Sequence, residues 1–170
     1  ITNHSSGKMG FAIARAAKEA GAEVTLVAGP VHLATPHHVQ RINVQSAQQM
    51  HEAVLPQAAS HDVFIAAAAV ADWRPVNAQT HKVKKDASGQ VPAFEMTENP
   101  DILAAVASLP NRPYCVGFAA ESHDLLHHTS EKRVRKNVPL LVGNIGPATF
   151  GQDTNALLLV DELGHRELPQ

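Results

Sequence analysis

Residues Asn3-His4-Ser5-Ser6-Gly7-Lys8-Met9-Gly10 form a polar, glycine-bearing stretch that runs directly into an Ala-rich amphipathic segment, Phe11 to Ala20. A strand-like run, Ala22-Glu23-Val24-Thr25-Leu26-Val27, follows at once. A loop that opens a helix exposes the unpaired N–H groups of the first turn and the positive end of the helix dipole, which suits an anion. This order of loop, helix and strand confines the chain to α/β folds that bind phosphate or carboxylate. The chain starts at Ile1, without Met. The strand that would feed such a loop is not in it, so it reads as a fragment.

Its 170 residues make one domain by size. Aromatics are only 4% of the chain, so Ala, Val, Leu and Ile must fill the core, as in helices packed on a sheet. The net charge of −2 argues against nucleic acid as a partner. The distribution of charge says more. Lys82, Lys84, Lys85, Lys132, Arg133, Arg135 and Lys136 are 7 of the 14 basic residues, gathered in two short segments. Two local cationic patches on a near-neutral chain point to a small, highly charged anion. The single Cys115, in the apolar run from Pro113 to Phe118, cannot form an internal disulfide and reads as a small buried hydrophobe. No stretch has the length of a membrane span, no signal peptide is visible, and a reducing cytoplasm fits.

Helical and strand patterns alternate. A helix is predicted over 8–20, ending at Gly21, then a strand over 23–28 closed by Gly29-Pro30, and a loop over 31–38. A short strand over 41–44 leads to a helix over 47–54 with Ser46 as N-cap. The run from Val63 to Val70 is continuous and apolar, as a central parallel strand would be. From Ala71 to Val91 the chain is polar, with a flexible loop around Lys82 and Gly89. Asn99 as N-cap and Pro100 at the first helical position predict a helix to about Ser108. A strand over 114–119, a charged helix over 122–136 and strands over 140–142 and 156–160 complete the pattern, with a hairpin at 161–164 into 165–168. The fold class is α/β: a doubly wound, mostly parallel sheet with helices on both faces and an antiparallel final hairpin.

Ligands in such sheets sit at the carboxyl ends of strands. Those ends carry Ala66, Ala67, Ala68 and Asp72, then Phe118 to Glu121, then Asn144. Small residues let a ligand approach the backbone, though alanines equally save space under a helix. Asp72 could accept from a base or ribose, or hold a metal through phosphates; it reads equally as a turn cap. Lys132 and Lys136 lie four apart on one helix face, with no acid after Glu131 to balance them. They match neighbouring phosphates, or a solvated face. The lysines at 82–85 could close over a nucleotide. The glycine block fits neither well-known phosphate-loop pattern. Among the 11 histidines, His37-His38 and His127-His128 are adjacent, and His123 and His127 are four apart. No acidic or cysteine partner completes a recognisable zinc set, so no metal ligands are assigned.

Six blocks in order identify the resemblance. Asn3 to Gly10, Ala68-Ala69-Val70-Ala71-Asp72-Trp73-Arg74, Lys82-Val83-Lys84-Lys85, Asn99-Pro100-Asp101-Ile102, Gly117-Phe118-Ala119-Ala120-Glu121 and Lys132-Arg133-Val134-Arg135-Lys136-Asn137 resemble phosphopantothenoylcysteine synthetase, the phosphopantothenate–cysteine ligase of coenzyme A synthesis. The resemblance covers essentially the whole chain. It implies a Rossmann-like fold, a cytoplasmic homodimer, CTP and Mg2+, with 4'-phosphopantothenate and L-cysteine as the other substrates. It implies that Ala66, Ala67, Ala68, Asp72, Lys82, Asn99, Pro100, Asp101, Ile102, Phe118, Lys132 and Lys136 hold CTP, and that Asn3 holds the acyl group. Asn3 and Lys82 are the catalytic candidates. In many bacteria the ligase is the C-terminal half of a bifunctional protein, and FMN belongs to its upstream decarboxylase half. The family's first strand, its following Gly-Pro-Thr-type loop and its C-terminal helical segment are not in this chain, which reads as one ligase domain, 1–170, truncated at both ends.

Two other classes remain open on the residues alone. A nicotinamide-dependent oxidoreductase can share such a sheet, but the chain has no G-x-G-x-x-G, and its one tyrosine, Tyr114, lies in a strand rather than a Tyr-x-x-x-Lys pair. A non-catalytic nucleotide-binding module would not require Asn3 or Lys82.

Overall fold

A computed structural model describes residues 5–78, 93–121, 123–145 and 156–168. The order begins with helix α1 (Lys8–Glu19), strand β1 (Thr25–Ala28), strand β2 (Gln40–Asn43) and helix α2 (Ala47–Ala58). Strands β3 (Val63–Ala66), β4 (Trp73–Pro75) and β5 (Met96–Glu98) come next, then helix α3 (Ile102–Ala107). Strand β6 (Tyr114–Glu121), helix α4 (Leu125–Lys136) and strands β7 (Leu140–Ile145), β8 (Leu157–Val160) and β9 (His165–Leu168) close it. The expected α/β alternation is present.

Among the described residues the strands fall into three sheets. β1 pairs with β2 in parallel. Five strands run in the order β3-β6-β7-β8-β9. The β3-β6 and β6-β7 pairs are parallel, and β7-β8 and β8-β9 are antiparallel. The antiparallel final hairpin is therefore as the turn at Asp161–Gly164 predicts. Asp161 fixes that turn by accepting from the N–H groups of Leu163 and Gly164 at 2.8 and 3.0 Å.

The main core lies where α2 and α3 meet β6 and β7. Val54 and Ala58 of α2 pack with Ile102, Val106 and Ala107 of α3, Cys115 and Ala119 of β6, and Leu141 of β7. Cys115 is fully buried, as expected of a small hydrophobe, and burial pushes its thiol pKa up, with the Arg112 charge opposing. Leu141 and Gly143 are two residues apart in β7 and so share a face. A Cβ on Gly143 would lie 2.5 Å from Thr129 Oγ1 of α4, so α4 packs on the face that α2 and α3 cover. Its close approach depends on that missing methyl.

Several boundaries differ from the sequence reading, and four bear on the site. The strand predicted from Val63 to Val70 stops at Ala66, because the alanines beyond it leave the ladder and pass into a turn. α2 runs on to Ala58 in spite of Pro56; its predicted N-cap holds, with Ser46 Oγ accepting from Gln49 N–H at 3.1 Å. The N-cap of α3 is Asp101, not Asn99: its carboxylate accepts from Ala104 N–H at 3.0 Å. Pro100 therefore lies ahead of the helix. α4 starts at Leu125 rather than at 122, which leaves His123 outside the helix. The β4-β5 ribbon is antiparallel, with Trp73 opposite Glu98, and was not predicted. Three residues are too few to show a period.

Candidate functional site

The carboxyl ends of β3 and β6, the start of α1, the turn before α3 and one face of α4 border a single cleft. Of the predicted residues, Ala66, Ala67, Ala68, Asp72, Asn99, Pro100, Asp101, Ile102, Phe118, Lys132 and Lys136 all line it. Asn3 and Lys82 lie outside the described residues. The cleft is about 3200 Å³, several times the roughly 300–1,000 Å³ of a small-molecule pocket. It is this large because it continues into the gap between β1 and β3, whose facing edges pair with no strand among the described residues.

The α1 end of the cleft is set by contacts that sequence patterns do not show. Gly7 is the N-cap of α1 at φ 75°, with no side-chain cap. Only glycine takes that conformation without strain. Its open side faces Val31, whose Cγ1 would stand 3.0 Å from a Cβ there. Val31 is held in turn by Arg41 of β2. The Arg41 guanidinium donates to Leu33 O at 2.7 Å and Val31 O at 3.3 Å, and sits 5.1 Å over the Phe11 ring. One cation thus fixes the loop after β1 against both the helix and its glycine cap.

The opposite wall is fixed by Asn99 and Arg74. Asn99 N–H donates to Asp72 O at 2.8 Å, and its side-chain amide donates to Ala71 O at 2.8 Å. Arg74 donates to Asn99 Oδ1 at 3.3 Å and to Glu98 O. Asn99 is thus a structural clamp between the turn after β3 and the turn before α3. Arg74 was not among the predicted site residues. Asp72 lines the cleft, and its carboxylate has no ion-pair partner among the described residues.

The two α4 lysines are not left uncompensated, as the local sequence implies. Lys132 Nζ stands 3.7 Å from Glu121 Oε1 at the end of β6. Lys136 Nζ donates to the Asp101 carboxylate. Partial burial pushes the Asp101 pKa up, but bonds from Lys136 and Ala104 and the charges of Lys136 and Arg135 outweigh it and hold it below the usual value. Each lysine is held by a carboxylate from another element, so no helix-face pattern could reveal the pairing. The resulting wall presents two cations, each with an anion that another anion could replace.

The comparisons agree with this frame. The family described as the DNA/pantothenate metabolism flavoprotein C-terminal domain matches residues 1–170. The coenzyme A biosynthesis bifunctional protein CoaBC of Vibrio cholerae is 51% identical over 99% of this chain. The chain spans 43% of that relative's length. The crystal structure of the C-terminal domain of a CoaBC protein superposes with a TM-score of 0.81 at 37% identity, covering 99% of this chain and 76% of that one. A Cab2 mutant in complex with phosphopantothenate-cysteine shares the fold, with a TM-score of 0.79 at 16% identity over 100% of this chain and 73% of the other. The chain belongs to the DNA/pantothenate metabolism flavoprotein C-terminal domain family.

Proposed function

We propose that the chain is the phosphopantothenate–cysteine ligase part of a longer, bifunctional coenzyme A biosynthesis protein, and that residues 1–170 are one truncated ligase domain. The observation that carries the proposal is that Asn99 is bonded to Asp72 and Lys136 to Asp101 on the walls of one open cleft, which Phe118 and Lys132 also border. The high identity to a CoaBC protein supports it. The 4'-phosphopantothenate carboxylate attacks the α-phosphorus of CTP, forming an acyl-cytidylate and releasing pyrophosphate. The cysteine amine then attacks the acyl carbon; the C–N bond forms, the acyl–phosphate bond breaks and CMP leaves.

This chemistry needs no enzyme nucleophile. It needs reactants held in line and phosphate charge neutralised where it develops. Lys132 and Lys136 supply fixed cations one helical turn apart. Phe118 offers an apolar surface to the base or ribose. The small side chains of Ala66, Ala67 and Ala68 leave the backbone open to the nucleotide. The resemblance assigns Lys82 to the triphosphate and Asn3 to the acyl group. Mg2+ binds with phosphate oxygens and one or two carboxylates; Asp72, on the cleft wall without an ion pair, is suited to hold it. FMN belongs to the decarboxylase half of such a protein. A homodimer in the cytoplasm completes the proposal. No helix among the described residues is long and apolar enough to cross a membrane.

The test is calorimetry with CTP, ATP and NADPH on the parent polypeptide, followed by assay with 4'-phosphopantothenate and cysteine. Binding of CTP, with CMP and pyrophosphate released in equal amounts, is expected. NADPH binding with no pyrophosphate release would favour the oxidoreductase reading instead.

A further inference from the structure

The first two turns of α4 carry a cluster that the ligase reading does not use. His127, His128 and Glu131 place one ligand atom each within 4.8 Å of one another. His127 Nε2 already stands 3.5 Å from Glu131 Oε1. The His123 ring packs edge-on against His128, at 5.1 Å between centroids. In sequence the histidines look unpartnered by any acid. The helix supplies one, because Glu131 follows His127 by four and His128 by three, so all three share a flank.

We propose that His127, His128 and Glu131 form a surface site for a borderline divalent transition ion such as Zn2+ or Ni2+, with His123 beside it as a further imidazole. Two imidazoles and one carboxylate are a recurrent zinc donor set, with an open position for water. Bonds of about 2.0–2.2 Å from metal to nitrogen or oxygen set donors roughly 3.3 Å apart in a tetrahedral site. The His127–Glu131 pair is nearly at that spacing. The remaining closure needs side-chain rotation: His127 and Glu131 are 58% and 66% exposed and have room for it, while His128, partly buried against the His123 ring, must turn toward them. Imidazole excludes the hard ions: Mg2+ and Ca2+ take oxygen ligands. The site is therefore chemically distinct from the one that would serve a nucleotide's magnesium.

The place of the cluster gives it a consequence. The N-cap of α4 is Asp124, which has φ 43° and makes no side-chain cap among the described residues. An ion bridging His127 to Glu131 would staple the first turns of this helix. The same helix carries Lys132 and Lys136 into the cleft, so the ion would stiffen the element that holds them. The site itself does not depend on the ligase reading.

The experiment titrates the intact protein with ZnCl2, NiCl2 and MgCl2 by calorimetry and thermal melting. One Zn2+ or Ni2+ per chain and a raised Tm are expected, with no response to Mg2+ at the same concentration. His127→Asn, His128→Gln and Glu131→Gln should each weaken Zn2+ by at least about tenfold, the lower end of what even an outer-shell change costs. Zn2+ binding that survives the double variant His127→Asn/His128→Gln overturns the proposal, as does a wild-type protein that binds no Zn2+. A measurement without variants guards against a misfolded one: Zn2+ should shield His127 and His128 from diethyl pyrocarbonate, and full modification of both in saturating Zn2+ also overturns it.

Discussion

Asp101 does two jobs through one carboxylate. One oxygen caps α3 through Ala104 N–H, and the other holds Lys136. If Lys136 meets a nucleotide phosphate, Asp101 is the anion that the phosphate must displace. Asp101→Asn keeps a good cap but gives up the charge. CTP should then bind more tightly, by up to about fivefold, since an exposed ion pair is worth no more than roughly 1 kcal/mol; calorimetry on wild type and variant checks it. The pH dependence has a definite sign. The folded carboxyl titrates below its ordinary value, so its stabilisation is present above the unfolded value of about 3.9. It is lost as pH falls through the folded value. The Tm gap between wild type and Asp101→Asn should therefore close in acid, and a gap that widens there would contradict the pairing. Gly117 is the second residue where an atom decides an outcome. A Cβ there would lie 2.5 Å from Leu141 Cδ1 and 2.7 Å from Leu103 Cδ2, and Leu141 is fully buried. Gly117→Ala overpacks the joint between β6 and α3 and should cost about 1–3 kcal/mol, read as a lowered denaturant midpoint. Leu103, by contrast, is only partly buried and lines the cleft, so the strain falls mainly on Leu141.

At the level of elements, the helix starts show what a sequence can and cannot give. Ser46 was legible as the cap of α2 because a hydroxyl directly before a helical run has one strong use. Ser46→Ala should lower stability by about 1 kcal/mol, measured by chemical denaturation, without altering ligand binding. The start of α3 was misplaced by two residues for an equally physical reason. Asn99 and Asp101 are both good caps and Pro100 fits a first helical position, so local preference alone favours the earlier start. Tertiary bonds override it. The Asn99 amide is already committed to Ala71 O and its backbone N–H to Asp72 O, and Asp101 takes the cap. The β4-β5 ribbon was illegible for a related reason. Its strands are three residues each, and their pairing joins positions more than twenty residues apart.

At the scale of the whole molecule, the open edges of β1 and β3 stand out. Val63 and Ile65 of β3, an edge strand among the described residues, are exposed, although strands of a parallel sheet are ordinarily covered on both faces. Both edges border the same cleft. A parallel strand placed between them would join the β1-β2 pair to the five-stranded sheet. We expect a polypeptide extended at the N-terminus by about 20 residues, one strand and its loop, to melt higher than residues 1–170 alone. The rate of the proposed ligase reaction should rise as well. Equal melting and equal rates for the two lengths would show that the cleft needs no such strand.

The sequence by itself determined the alternation of helix and strand, the antiparallel final hairpin, the burial of Cys115 and the strand-end residues Ala68 to Asp72 and Phe118 that border the cleft. These follow from periodicity, turn chemistry and the position of strand ends, all of which act over a few neighbouring residues. Only the tertiary structure decided the partners of those residues. Lys136 meets Asp101 across 35 residues, and Lys132 meets Glu121 and Arg41 holds Val31 across the turn that joins consecutive elements. The contact of Glu131 with His127 is different: it is a helical i, i+4 pair that the predicted helix over 122–136 already contains. Charge and hydrogen-bond pairing act through space, and the order of residues carries no direct record of which distant group will fill the space beside a side chain.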